Sequence, residues 1–177
     1  GLLKDPAFKK MVANYLGQPV SPRLLNRLAG DVVQFYRAHD RPLVDVSVPE
    51  QDITTGVVQF VVLEGRLGQV TVEGNRWFPK GIFKSQVSIR EGEAVSEKRL
   101  ASDVNWMNSN PFRQVNAVFT PGKERGETDL VLKVNDRFPL RFYGGYEDSG
   151  NDLTGDERFL MGFNWGNAFL LDHQLNY

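Results

Sequence analysis

Two phrases seventy-five residues apart, GQPVSPRLL at 17–25 and GEAVSEKRL at 92–100, share Gly, Val, Ser and Leu at the same four positions. An internal repeat constrains a fold more tightly than composition does, because each copy must be one supersecondary unit. Each phrase has the same physical reading. A glycine (Gly17, Gly92) closes one helix in the left-handed conformation, and a serine (Ser21, Ser96) then caps the next. Pro22 suits the first helical position, where its missing N–H costs nothing.

The flanks repeat as well. Phe8, Met11, Val12, Tyr15 and Leu16 line one face of a helix before the first phrase. Leu25, Leu28, Val32, Phe35 and Tyr36 line a second helix after it. Around the second phrase, Pro79 starts a helix with Ile82, Phe83 and Val87 inward, and Leu100, Val104 and Met107 mark another. Each helix pair is followed by two strands of period 2. In the first copy these are Val44, Val46 and Val48, then the apolar run 56–65. In the second they are Val115, Ala117 and Phe119, then Leu130, Leu132 and Val134 after the turn 121–127. A strand at 69–74 opens the second copy, while the first has no opening strand. The unit is strand–helix–helix–strand–strand, and the fold class is α+β. The junction 66–69 is short and leaves little slack between the copies.

Composition removes several functions. A net charge of −1 offers no basic surface to displace phosphate counterions, which excludes nucleic acid as a partner. The absence of cysteine excludes disulfides and thiolate metal sites. No apolar run reaches the ~18 residues of a spanning helix. The opening GLLKDP lacks a signal-peptide pattern and reads as the start of a trimmed chain. Of the two histidines, His39 lies at a helix exit and His173 in a C-terminal strand. The Gly-Lys of PGKERGETD lacks the strand–loop–helix setting and the Ser/Thr of a nucleotide loop. The carboxylates Asp45, Glu50, Asp52 and Glu64 fall beside turns and strand ends, where solvation explains them. The expectation is a protein that is not an enzyme and uses no cofactor, metal or nucleotide.

The C-terminal segment is of another kind. Residues 140–148, 157–165 and 169–177 read as three strands of about nine residues. Phe159, Met161, Phe163 and Trp165 fall on one face, with Leu160, Gly162 and Asn164 on the other. Leu171, Leu175 and Tyr177 against Asp172, Gln174 and Asn176 repeat the scheme. Their length is near the ~9–11 residues that let a tilted barrel strand cross a bilayer. A lone hairpin of this pattern would equally suit a soluble core.

The order of these elements resembles the polypeptide-transport-associated (POTRA) domains of outer-membrane protein translocators. More closely, it resembles the two-partner secretion transporters of the haemolysin/haemagglutinin secretion-activation family, in the Omp85 superfamily. The resemblance rests on 46–75 (VSVPEQDITTGVVQFVVLEGRLGQVTVEGN), 110–136 and 146–177. In that family a PEQD…G…VxEGR run closes the first POTRA domain. An NSG…TG loop joins the first two barrel strands, here EDSGNDLTG with Asp148 in the asparagine position. The resemblance implies a truncated first POTRA domain at 1–67, a second at 68–138, and the first three strands of a transmembrane β-barrel at 139–177. Each POTRA domain would be a three-stranded mixed sheet packed on two helices, with its closing strand between the opening and middle strands.

It further implies the outer membrane as location, with the POTRA domains in the periplasm. The implied partners are an unfolded secreted exoprotein and outer-membrane lipid, with no nucleic acid or nucleotide. The exoprotein would be captured by strand addition on the middle strand of a unit. The residues so implicated are Val44, Asp45, Val46 and Ser47 in the first unit and Gln114, Val115, Asn116, Ala117, Val118 and Phe119 in the second. Ile82 and Phe83 would line the adjoining groove. An outer-membrane protein assembly factor of the same superfamily and a cell-envelope scaffold module remain as alternatives. Lacking its opening strand, the first unit should leave 57–63 as a naked apolar edge, covered by a neighbouring molecule or by part of 140–177.

Overall fold

The computed structural model describes residues 1–148 and 157–177, so most of the loop EDSGNDLTG lies outside the described residues. The elements follow the repeat: α1 (Pro6–Ala13), α2 (Pro22–Ala38), β1 (Val44–Ser47) and β2 (Val61–Glu64), then β3 (Arg66–Glu73), α3 (Lys80–Gln86), α4 (Glu97–Asn108), β4 (Arg113–Pro121) and β5 (Glu127–Asp136). A meander closes the chain: β6 (Leu140–Glu147), β7 (Arg158–Ala168) and β8 (His173–Asn176). The fold is α+β. The sheets are β1-β2, β3-β5-β4 and β6-β7-β8, so the closing strand β5 lies between the opening strand and β4 as expected.

The repeated phrases behave alike. Gly17 and Gly92 take φ of 76° and 81°, the left-handed region that admits glycine without strain. Ser21 Oγ accepts the Leu24 N–H and Ser96 Oγ the Arg99 N–H, both at 3.2 Å, capping α2 and α4.

The chain forms two compact units. The first comprises 1–69, 89–101 and 119–130, and the second 70–88, 102–118 and 131–177. In the first, Phe8 of α1 meets Phe35 and Tyr36 of α2 edge-on, with ring centroids 5.3 and 6.5 Å apart. The Tyr15 hydroxyl donates to Asp31 on α2. Asp40, left-handed at φ 63°, brings its carboxylate to the start of α4, accepting from the Ser96 hydroxyl and from the Lys98 N–H at 2.9 Å. Buried Leu67, Val95, Leu100 and Leu130 add to this unit's core. In the second unit Phe78, Phe83, Met107, Val115 and Leu132 form the core. Asp136 at the end of β5 accepts the N–H groups of Arg76, Trp77 and Phe78, at 2.8 to 3.0 Å, which fixes the approach to α3.

Several expectations are corrected. The first helix ends at Ala13 rather than Leu16, and Val87 lies beyond the end of α3. The junction at 66–69 is itself strand, since β3 begins at Arg66 with only Gly65 after β2. A Cβ on Gly65 would lie 2.6 Å from that of Leu43, so glycine is required at this close approach. The run 56–65 is strand only from Val61. The pairing of β1 with this run stops at Ser47 and Val61. Instead the Gln51 carboxamide meets the Gln59 backbone, accepting its N–H at 2.6 Å and donating to its carbonyl at 2.9 Å. The third C-terminal strand is shorter than 169–177. Phe169, Leu170 and Asp172 take φ near 60° in a turn, so Leu171 and Asp172 leave the alternation.

In the β6-β7-β8 sheet, Phe142 pairs with Phe163, Tyr146 with Phe159 and Leu140 with Trp165, which also pairs with Leu175. The opposite face carries Arg141, Asn164 and Asn176 in one row. Alternation therefore separates an apolar face, where Met161 is 81% exposed, from a largely polar one.

Candidate functional site

The second unit's expected strand is at a sheet edge: β4 has β5 on one side and no strand on the other among the described residues. Its side chains alternate. Arg113 and Val115 are buried and Ala117 and Phe119 half-buried, whereas Gln114, Asn116 and Val118 are exposed. Backbone direction alternates too, because a strand residue turns its N–H and C=O to the same side. Val115 N–H and C=O are bonded to the Asn108 side chain, at 2.6 and 3.0 Å, rather than to β5. Val115 and Ala117 therefore present their backbone groups outward, and Gln114, Asn116 and Val118 present theirs to β5.

The groove residues divide. Ile82 is half-buried on α3, while Phe83 has no exposed surface and belongs to the core. In the first unit, Val44, Asp45, Val46 and Ser47 form β1, paired with Glu64, Leu63, Val62 and Val61 of β2. Val44 and Asp45 share an open cavity of about 710 Å³ with Leu43, Leu63 and Phe119. The structure so brings Phe119 beside the β1 candidates.

Sequence reasoning missed a cluster at the start of β4. The Arg113 guanidinium, whose side chain is 1% exposed, is in cation–π range of Phe78 and Phe83, 5.0 and 5.2 Å from their ring centroids. It donates through Nη1 and Nη2 to both carboxylate oxygens of Asp172, at 2.6 and 2.9 Å, and through Nε to the Met107 carbonyl at 2.7 Å. Gln86 and Asn110 also donate to Asp172, at 2.7 and 3.2 Å. Asn110 further donates to the Gly166 carbonyl at 2.6 Å, where a side chain on Gly166 would intrude on the Phe112 ring. Every member is hydrogen-bonded, as a buried charge requires. The signal was available: Arg113 shares the inward parity of Val115, and an arginine on an apolar face needs an anion.

Comparison with known proteins fits this architecture. Residues 1–65 match the family described as POTRA domain, ShlB-type. The chain is 25% identical over 170 residues to the heme/hemopexin transporter protein HuxB of Haemophilus influenzae, covering 92% of this chain and 30% of that protein. It is 27% identical over 150 residues to the outer membrane transporter CdiB of Dickeya dadantii, covering 84% of this chain and 26% of that one. The solved structure of CdiB from Escherichia coli superposes with a TM-score of 0.80 at 22% identity, over 94% of this chain and 31% of that one. The chain thus spans about 30% of the length of HuxB. Residues 1–65 thus match the ShlB-type POTRA domain, and over most of its length the chain is similar to the transporter proteins HuxB and CdiB.

Proposed function

We propose that the chain is the substrate-capture region of an outer-membrane protein translocator, with POTRA modules at 1–67 and 68–138 in the periplasm and the start of a barrel at 139–177. It binds an unfolded secreted exoprotein by strand addition on β4 and passes it to a β-barrel pore without nucleotide hydrolysis. The observation that carries the reading is the edge position of β4, where the Val115 backbone groups bond Asn108 and Ala117, two residues on, shares their outward parity. Backbone pairing accepts many sequences, which suits a carrier of an extended client. The apolar face of β6–β8 supports the barrel part, since in lipid that face would be buried and the polar row would face a lumen.

The test is a proline pair. Ala117→Pro removes an outward donor and spares the ladder to β5, whereas Asn116→Pro removes a ladder donor. Ala117→Pro is expected to melt cooperatively, yet lose binding of the exoprotein's N-terminal domain and lower its secretion. Undiminished binding and secretion in that folded variant would overturn strand addition on β4.

A further inference from the structure

The outward edge of β4 is obstructed at Val115. A carboxamide carries the donor and acceptor of a peptide group, and the Asn108 side chain takes both backbone groups of Val115. The two bonds reproduce one rung of an antiparallel ladder, on the side where a client strand would pair. Asn108 is held there. It is the last residue of α4, its neighbour Met107 is fully buried, and Arg113 Nε grips the Met107 carbonyl. The first unit uses the same device on its own exposed segment, where the Gln51 carboxamide occupies both backbone groups of Gln59.

We propose that Asn108 is the register stop of the strand-addition edge. An extended client pairs from Ala117 toward the Pro121 end of β4, and reaches Val115 only by displacing the carboxamide. This inference rests on the strand-addition reading above. The stop disfavours short generic strands, whose few rungs do not repay two lost hydrogen bonds. It favours clients that gain contacts further along, so specificity comes at a cost in affinity. It also fixes which client residues face the groove, since a slip of one residue would turn every side chain over.

The test uses the full 177-residue chain in detergent and a capped eight-residue peptide of alternating valine and threonine as probe. Amide hydrogen exchange at Val115 is read in parallel. Asn108→Ala should expose the Val115 amide and raise its exchange at least about tenfold. It should also tighten peptide binding roughly five- to tenfold, as two competing hydrogen bonds disappear. Asn108→Asp keeps the acceptor for Val115 N–H and loses the donor to its carbonyl. Its amide should stay slow while affinity rises less. In both variants Ala117→Pro should abolish binding. Peptide affinity in Asn108→Ala equal to or below wild type, with Ala117→Pro still abolishing binding, overturns the stop and leaves strand addition standing. Should Asn108→Ala fail to fold, Asn108→Asp decides, and wild-type affinity there overturns the stop. A peptide that fails to bind any variant, or binds regardless of Ala117→Pro, sinks strand addition and the stop with it.

Discussion

Arg113 and Asp172 show how one residue's burial dictates the chemistry around it. A guanidinium stripped of water between two phenylalanines is tolerable only because its donors are taken by Asp172 and the Met107 carbonyl. Asp172→Ala leaves that charge uncompensated and should cost about 3 kcal/mol in urea unfolding. Arg113→Met with Asp172→Ala should cost clearly less than the sum of the single changes, because the pair is coupled. A strictly additive cycle would refute the coupling. Asp40 is a second case. Burial alone would raise its carboxyl, but the Ser96 hydroxyl, the Lys98 N–H and the charges of Lys98 and Arg41 outweigh that and hold it below the usual aspartate range. A depressed folded-state value means the stabilisation is complete above the unfolded aspartate value of about 3.9 and is lost as pH falls through the folded one. Asp40→Asn should therefore lower stability at neutral pH and flatten its decline below about pH 4. Urea midpoints measured across that range give the answer.

At the scale of elements, the caps were legible because they are local. Ser21 and Ser96 sit where a side-chain oxygen reaches the N–H three residues on, and both accept it. Ser21→Ala should cost about 1 kcal/mol. Ser96→Ala should cost more in the same thermal melt, since Ser96 also donates to Asp40. Equal losses would mean that the Asp40 contact adds nothing. The strand limits were less legible. VVQFVVL reads as one run, yet Gly56 at φ 75° and the Gln51 carboxamide on Gln59 keep its first half out of the sheet. The turn before β8 carries no glycine or proline signal. Phe169 and Leu170 accept a conformation that costs L residues energy. The Asn167 side chain accepts the Asp172 N–H at 3.0 Å, and Arg113 holds the Asp172 carboxylate. Such long-range causes leave no local trace. The β4 edge was legible as a strand, but its outward parity was not, because Asn108 sets it from another element.

For the whole molecule, the repeat carried most of the fold: two copies of one phrase with their flanks predicted four helices, and the family resemblance implied the strand order of the second sheet. Linear boundaries are what a sequence offers. Compactness follows contacts such as Asp40 with Ser96, 56 residues apart, so the first compact unit gathers 89–101 and 119–130 with the N-terminal segment. The C-terminal sheet raises a question of solvent. Phe142, Phe159 and Met161 are exposed on one face, at 74%, 75% and 81%, a contiguous apolar surface that water penalises. If that face is built for lipid, residues 1–177 should partition into phospholipid vesicles or detergent micelles. A chain ending at 138 should stay in solution, provided that Arg113→Met relieves the guanidinium left without Asp172. Vesicle flotation of the two chains, with tryptophan emission shifting to the blue only for the longer one, is the expected result. Both chains remaining in the aqueous fraction would mean that the apolar face is covered by protein instead.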